Sequence, residues 1–204
     1  MPFDLEKKFI FVHIPKTGGV SIATSLDLFH TEKFYLGRWN AKVIDGVGYA
    51  LQHLPLPLIK KLRPEVSDFK SFTVVRNPYE KAISEYFFIH KDYHKKPKTN
   101  LDDFEKWLEE EYFLHKMDHT IPQYEFIDDS IGMIVKNEEL NEKWNDICDY
   151  IGYQRKELPF YNVTRRKTAP STSDLVKSLP QSVRDKIYNK FEKDFETFGY
   201  LKKY

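Results

Sequence analysis

A lysine, two hydroxyl residues and two glycines are gathered in the stretch HIPKTGGVSI, between an apolar run and a segment with helical spacing. These residues are Lys16, Thr17, Gly18, Gly19 and Ser21. Glycine lets the backbone approach an anion closely and accepts positive φ. Backbone N–H groups at a helix start point outward, and the helix dipole adds partial positive charge there. The lysine and the hydroxyl groups add a charge and donors, so the sequence predicts a phosphate site in this loop.

The order of residues in this loop differs from that of a Walker A motif, GxxxxGK[ST], in which the lysine follows the glycines. Here Lys16 precedes Gly18 and Gly19, and no hydroxyl residue occupies the magnesium-binding position next to the helix. A nucleotide kinase would need the Walker lysine after the glycines, and its absence here disfavours that class of enzyme. A glycine turn with an exposed lysine is the alternative, but the strand, loop and helix patterns together favour the anion site.

A second stretch, SFTVVRNPYEKAISEY, also passes from an apolar strand pattern through a short loop into a helix pattern. Arg76 follows the strand, where ligands bind in open α/β sheets. Pro78 suits the first turn of a helix, and Ser84 follows further along that helix. A guanidinium forms paired hydrogen bonds with phosphate, so Arg76 and Ser84 are a second candidate phosphate site. Taken alone, the stretch would also fit a surface ion pair and an exposed helical serine.

The first stretch resembles the 5′-phosphosulfate loop of the carbohydrate-type sulfotransferases (sulfotransferase family 2), whose members read close to HIPKTGGTS. The resemblance implies 3′-phosphoadenosine 5′-phosphosulfate (PAPS) as sulfuryl donor and the bisphosphate PAP as product. The donor-binding residues that it implies in the loop are Lys16, Thr17, Gly18, Gly19, Val20 and Ser21. Val20 departs from the family, in which a hydroxyl residue is usual there, and losing one neutral hydrogen bond costs about 1 kcal/mol. The backbone donors are unaffected, so the site is expected to persist.

The resemblance extends to further stretches of the chain. The second stretch is similar to the family's 3′-phosphate site, where an arginine and a serine have the spacing of Arg76 and Ser84. LPFYNVTRRK resembles the loop that closes over the nucleotide in some members, which implies donor contacts from Arg165, Arg166 and Lys167. A solvated basic loop is the alternative for these three residues. FEKDFETFGY resembles the family's closing helix, so the resemblance covers most of the chain.

Sulfuryl transfer to an acceptor hydroxyl is an in-line displacement that needs positioning, a base for the acceptor and positive charge at the leaving phosphate. Lys16 is the expected partner of the leaving oxygen. The resemblance points to His53, in YALQHLPLP, as the base, because carbohydrate sulfotransferases often carry a histidine between the two phosphate motifs. A surface or capping histidine is the alternative, and Glu80 or Glu85 would then be the next candidate bases. His13 is expected to be a core histidine bonded to the backbone.

No clear metal-binding constellation is predicted. The transferred sulfuryl group carries a single negative charge, so the reaction does not require a metal ion. His115 and His119 have i, i+4 spacing, but no HExxH context supports a zinc helix.

Apolar strand patterns alternate with helical patterns along the 204 residues. Strands are predicted at 9–13, 71–75 and 131–135, and helices at 19–30, 78–90, 101–115, 138–151 and 182–198. Residues 31–70 are less regular, and RRKTAPSTSD, residues 165–174, is predicted to be a flexible loop. The alternation predicts an α/β fold, a single domain over 1–204 with a central, mostly parallel sheet flanked by helices. The resemblance refines this to the P-loop NTPase-like sulfotransferase fold.

Composition narrows the classes of function. The net charge of +1 excludes a global basic field for nucleic acid or anionic membranes, so any anion site must be local. The lone Cys148 excludes an intrachain disulfide and a cysteine-ligated zinc site. The sequence lacks an apolar run long enough for a transmembrane helix, and MPFDLEKKFIFV lacks a signal-peptide core, so a cytoplasmic protein is expected.

The predicted function is transfer of the PAPS sulfuryl group to an acceptor hydroxyl, which the resemblance assigns to a carbohydrate, with a histidine base. A non-catalytic nucleotide-binding module that kept the phosphate loops and a nucleotide kinase are the alternatives. The motifs leave the acceptor unnamed, because acceptor pockets are built by variable loops.

Overall fold

The computed structural model describes residues 3–28, 41–90, 100–159 and 170–204. Contacts group the chain into two compact units. The first contains Met1–Val75 and Lys116–Tyr161, and the second contains Arg76–His115 and Asn162–Tyr204. The single domain over 1–204 stays a prediction.

The strands of the described residues all belong to the first unit. They are β1 Phe3–Asp4, β2 Phe9–Val12, β3 Ala41–Ile44, β4 Val47–Ala50, β5 Lys70–Val75 and β6 Met133–Lys136. One sheet has the order β1-β2-β5-β6, with β2, β5 and β6 parallel and β1 antiparallel at its edge. β3 and β4 form a separate antiparallel hairpin. The predicted α/β fold with a mostly parallel sheet is therefore confirmed.

The described residues contain short and long α-helices in both units. They are α1 Gly19–Ser25, α2 Leu56–Leu62, α3 Pro78–Ile89, α4 Phe104–Trp107, α5 Leu140–Ile151, α6 Thr172–Ser178 and α7 Gln181–Phe198. Helices α1, α2 and α5 belong to the first unit, and the other four belong to the second. None of the helices in the described ranges is long and apolar enough to cross a membrane.

The core of the first unit lies between the sheet and helices α1 and α5. Strand β2, FIFV, is a continuous apolar run, and β5, KSFTVV, is buried after its first residue, as expected for parallel strands that are covered on both faces. Helix α5 contributes Leu140, Trp144, Ile147 and Ile151 at helical spacing to the same apolar cluster. Gly152 ends the helix in the left-handed conformation, with φ of 69°. This core fixes the strand ends from which the phosphate loop leaves.

The core of the second unit is rich in aromatic side chains. Helix α3 begins at Pro78, and the Asn77 side chain caps it by accepting a hydrogen bond from the Tyr79 N–H at 3.0 Å. The Tyr79 ring packs against Phe195 of α7, with ring centroids 4.9 Å apart. Helix α4 continues into a π-helical turn over Leu108–Tyr112. The cap and the aromatic packing fix the position at which α3 begins. This helix follows Arg76 in the sequence.

Most predicted elements have counterparts in the structure. The predicted strands correspond to β2, β5 and β6, and the predicted helices at 78–90, 138–151 and 182–198 correspond to α3, α5 and α7. Helix α1 ends at Ser25, before the predicted end at 30, and residues 29–30 lie outside the described residues. The predicted helix at 101–115 is α4 followed by the π-helical turn.

Two stretches predicted to be irregular contain regular structure. Residues 31–70 include the β3–β4 hairpin, whose turn has positive φ at Asp45 and Gly46, and helix α2. The predicted loop at 165–174 ends inside α6, because Ser171 and Asp174 form a capping box at that helix start. Residues 165–169 of that loop lie outside the described residues.

Candidate functional site

The loop between β2 and α1 has the backbone shape of an anion cradle. Lys16 has φ of 68° and Gly18 has φ of 91°, whereas Thr17 between them has a negative φ. Such alternation turns successive N–H groups toward one concavity, which binds anions. Positive φ is uncommon for lysine, and strained backbone of this kind costs on the order of 1–3 kcal/mol and concentrates at functional sites.

Two hydrogen bonds hold this loop in place from inside the protein. The fully buried Thr17 hydroxyl donates to the Ile14 carbonyl at 2.8 Å, and the Asn137 amide donates to the Thr17 carbonyl at 2.9 Å. The Thr17 hydroxyl proton is thus used within the loop, whereas the sequence analysis expected this hydroxyl to be a donor to the phosphate. Sequence reasoning missed Asn137, which directly follows β6 at the carboxyl end of the parallel strands.

The start of α1 leaves donors directed away from the helix. The Gly18 carbonyl accepts from the N–H groups of Ser21 at 3.1 Å and Ile22 at 3.4 Å. The N–H groups of Gly19 and Val20 have no intrahelical acceptor, as at every helix start. Among the described residues, no side chain caps this end of the helix. The loop therefore presents backbone N–H groups beside the half-buried Lys16 and Val20 side chains.

His13 connects the phosphate loop to the predicted base. A Cβ placed on Gly19 would lie 2.0 Å from Nε2 of His13, so the glycine is required by the closeness of this ring. The His13 ring is buried, stacks on Phe11 at 5.3 Å and meets the His53 ring edge-on at 4.7 Å between centroids. The expectation of a core histidine at position 13 agrees with this burial. The ring also places His53 one side chain away from the loop.

His53 is buried and hydrogen-bonded to a carboxylate that the sequence analysis did not identify. Its Nδ1 lies 2.7 Å from Oδ2 of Asp118, and the side chains of both residues are about 95% buried, with 6% and 5% exposure. The Ala50 N–H donates to the same Asp118 oxygen at 2.9 Å. Burial raises the pKa of Asp118, but the hydrogen bond and charge of His53, with His119 and the Ala50 N–H, lower it below its ordinary value overall. The surface-histidine alternative for His53 is therefore excluded.

A third side chain, that of His119, lies near His53 and Asp118, and together the three residue types resemble the ligands of a metal site. The His119 ring lies 5.2 Å from the His53 ring, and ligand atoms of His53, Asp118 and His119 all lie within 4.8 Å of one another. Two histidines and a carboxylate match a divalent-cation site in type and number. The sequence analysis predicted no such constellation and weighed His119 only with His115. The hydrogen bond between His53 and Asp118 already engages one ligand atom of each, which favours a proton-transfer pair.

In the second unit, Arg76 is held by a buried glutamate. An Nη2 of Arg76 donates to Glu80 at 3.0 Å and to the Thr172 hydroxyl at 2.8 Å, and the Thr172 hydroxyl donates to Glu80 at 2.7 Å. Burial raises the pKa of Glu80, but bonds from Tyr204, Arg76 and Thr172 lower it overall. Because Glu80 is an engaged carboxylate with a lowered pKa, it is a poor candidate base. The predicted partner Ser84 lies half-buried on α3.

The remaining predicted donor contacts lie outside the described part of the chain. They are Arg165, Arg166 and Lys167, and they remain predictions.

A mostly parallel sheet whose first parallel strand runs into a glycine loop and a helix defines an α/β protein, and loops of this kind commonly bind phosphates. A model of the Sulfotransferase family matches residues 3–201. The chain therefore belongs to the sulfotransferase family, which confirms the predicted family and its fold. Membership indicates an enzyme that transfers sulfuryl groups. A comparison with curated proteins found no match.

The closeness of His13 to Gly19 yields a test of the loop. We expect Gly19→Ala to destabilise the protein by about 1–3 kcal/mol, because the new methyl group displaces a buried ring. PAP affinity should fall about tenfold, because the loop N–H groups move. Thermal unfolding and calorimetric titration with PAP measure the two effects.

Gly48→Ala is the matched control, because Gly48 also has an ordinary φ and a Cβ there would have nothing within 4 Å. This variant should bind PAP as the wild type does. PAP affinity of Gly19→Ala equal to that of the control would show that this backbone is not the anion cradle.

Proposed function

We propose that this protein is a PAPS-dependent sulfotransferase that moves the sulfuryl group to an acceptor hydroxyl of a carbohydrate, with His53 as the base. The observation that carries the proposal is the contact path within the first unit. Gly19 of the loop touches His13, and the His13 ring touches His53. A base for the acceptor thus lies one side chain away from the loop that would hold the sulfuryl donor.

The loop residues fit the phosphosulfate end of PAPS in shape and charge. Its backbone N–H groups and Lys16 would hold the 5′-phosphosulfate, and Lys16 would neutralise the leaving phosphate oxygen. Close packing against the loop requires both glycines, since a Cβ at Gly18 would lie 2.9 Å from the Asn137 amide nitrogen and a Cβ at Gly19 would lie 2.0 Å from Nε2 of His13. In the second unit, Arg76 and Ser84 would hold the 3′-phosphate.

PAPS supplies an activated sulfuryl group, and the residues of this chain align and deprotonate the acceptor. His53 would take the acceptor proton as the new oxygen–sulfur bond forms and the bond from sulfur to the phosphate oxygen breaks. General-base catalysis of this kind contributes typically 10²–10⁴-fold to the rate. Asp118 then faces the imidazolium that results.

Nucleotide binding without metal tests the donor assignment. We expect PAP to bind in EDTA and to bind more tightly than ATP, because the chain offers two separate phosphate motifs with basic residues. Calorimetric titrations with PAP and with ATP, each with EDTA and with magnesium, measure this. Tighter binding of ATP, or PAP binding only with magnesium, would contradict the sulfotransferase proposal.

An acceptor screen with radiolabelled PAPS separates an enzyme from a binding module. Transfer of label to an oligosaccharide hydroxyl supports the proposal and names the acceptor. Tight PAP binding with no transfer to any acceptor class would favour the non-catalytic module.

A further inference from the structure

We propose that Asp118 is a positioning residue for His53, which keeps the proton on Nδ1 and so makes Nε2 the nitrogen that receives the acceptor proton. This inference rests on the proposed function, in which His53 is the base. Neither the family match nor the sequence motifs assign a role to Asp118.

The direction of the hydrogen bond follows from the chemistry of the two groups. An ionised carboxylate can only accept hydrogen bonds. Asp118 accepts from Ala50 and lies 2.7 Å from Nδ1 of His53, so Nδ1 must be the donor in that pair. The lowered pKa of Asp118 supports the ionised form. A neutral imidazole that carries its proton on Nδ1 has its basic lone pair on Nε2.

Asp118 is fastened to the same backbone that carries His53. Its N–H donates to the Gly48 carbonyl at 2.8 Å, and its carboxylate accepts from the Ala50 N–H at 2.9 Å. Strand β4 ends at Ala50, and the 3₁₀ turn Leu51–His53 follows directly. One aspartate therefore holds both the start of this turn and the ring at its end, which leaves the imidazole little freedom to rotate.

The negative charge of Asp118 also stabilises the protonated form of His53, which burial disfavours. Proton transfer turns the buried His53 into a cation, which a low-dielectric site disfavours. Among the residues that the structure describes, Asp118, His13 and His119 are titratable side chains that lie against His53. The two histidines offer no negative charge, so Asp118 is the group in this cluster that stabilises the imidazolium. Serine hydrolases use a buried aspartate on their catalytic histidine in the same way.

Asp118→Asn tests the inference, because asparagine keeps the size of the side chain and can still accept from Ala50. Because Oδ2 of Asp118 faces both the Ala50 N–H and Nδ1 of His53, the asparagine oxygen can take over both bonds, so this variant removes the negative charge while Nδ1 keeps its proton. We expect turnover on an identified acceptor to fall about tenfold or more, as for other residues that orient a functional histidine, with PAP affinity within about twofold of wild type. Asp118→Ala removes the acceptor as well, so the ¹⁵N chemical shifts of the His53 ring should keep the Nδ1–H pattern in wild type and Asp118→Asn and lose it in Asp118→Ala.

The matched control is Asp45→Asn, which removes an exposed carboxylate from the β3–β4 turn and makes the same change in net charge. It should leave turnover and the His53 shifts unchanged. Wild-type shifts of the Nε2–H form would overturn the inference even if Asp118→Asn did not fold. So would wild-type turnover in a folded Asp118→Asn protein. If the wild type transfers no label to any acceptor, the proposed function fails, while the ring shifts still decide the role of Asp118.

Discussion

Replacing His53 by alanine should lower sulfotransfer by about a hundredfold or more, the usual size of a general-base contribution, while PAP affinity stays nearly intact. The ring lies against Asp118, His119 and His13, and in the proposed function it takes the acceptor proton, so its removal should take away the base without removing a donor contact. Single-turnover rates and calorimetric PAP titrations on the same samples measure both quantities. Lys16→Ala should instead lower nucleotide affinity and turnover together.

The pH dependence of turnover adds a second readout to this prediction. The wild-type rate should rise with pH as the imidazole base loses its proton, and His53→Ala should lose that rise. The exposed His115 offers a control, since His115→Ala should keep the rate and its pH profile. If His53→Ala kept most of the activity, a residue other than His53 would be the base. Glu80 is already engaged with Arg76, so the buried Glu85 would be mutated next.

Replacing Arg76 by alanine should weaken PAP binding about ten- to a hundredfold and leave AMP binding almost unchanged. A hydrogen bond to a charged group contributes roughly 1.5–3 kcal/mol. AMP lacks the 3′-phosphate, so it has no such bond with Arg76 and should lose no affinity in the variant. Titrations of both nucleotides into wild type and variant give the selectivity directly. Equal losses for PAP and AMP would show that Arg76 does not bind the 3′-phosphate.

Arg63→Ala controls for the loss of a guanidinium. Arg63 pairs with Glu65 at 2.5 Å on the surface of the first unit, where exposed ion pairs contribute little. This variant should bind PAP and AMP as the wild type does. Removing Arg76 also leaves the buried Glu80 without its cation, so thermal unfolding should accompany the titrations to report folding.

The sequence was sufficient to predict the parts of the candidate site that are built from residues close together in the chain. A buried strand, a glycine loop and a helix follow one another within 9–25, so their chemistry can be predicted from local spacing. Arg76 and its helix are encoded in the same local way. Lys16 and Gly18 needed no distant partner to indicate an anion site, and the structure adds the positive φ of both.

The parts that were missed depend on contacts between distant residues. Asp118 lies 65 residues from His53, and Asn137 lies 120 residues from Thr17. Neither residue belongs to a local motif, so only the folded chain brings each to its partner. The Thr17 hydroxyl was predicted to face the ligand, but a carbonyl three residues earlier accepts its proton. The hairpin and α2 were missed because their short elements lack a sustained apolar period.

The internal bonds of the phosphate loop have a consequence for the kinetics of nucleotide exchange. The carbonyls of Ile14, Thr17 and Gly18 already accept hydrogen bonds within the protein, so the loop keeps its shape before a nucleotide arrives. Capture then needs no slow rearrangement of this segment, and nucleotides that share a 5′-phosphate should associate at similar rates. Differences in their affinities should therefore come from different dissociation rates, since contacts beyond the loop govern how long each nucleotide stays bound.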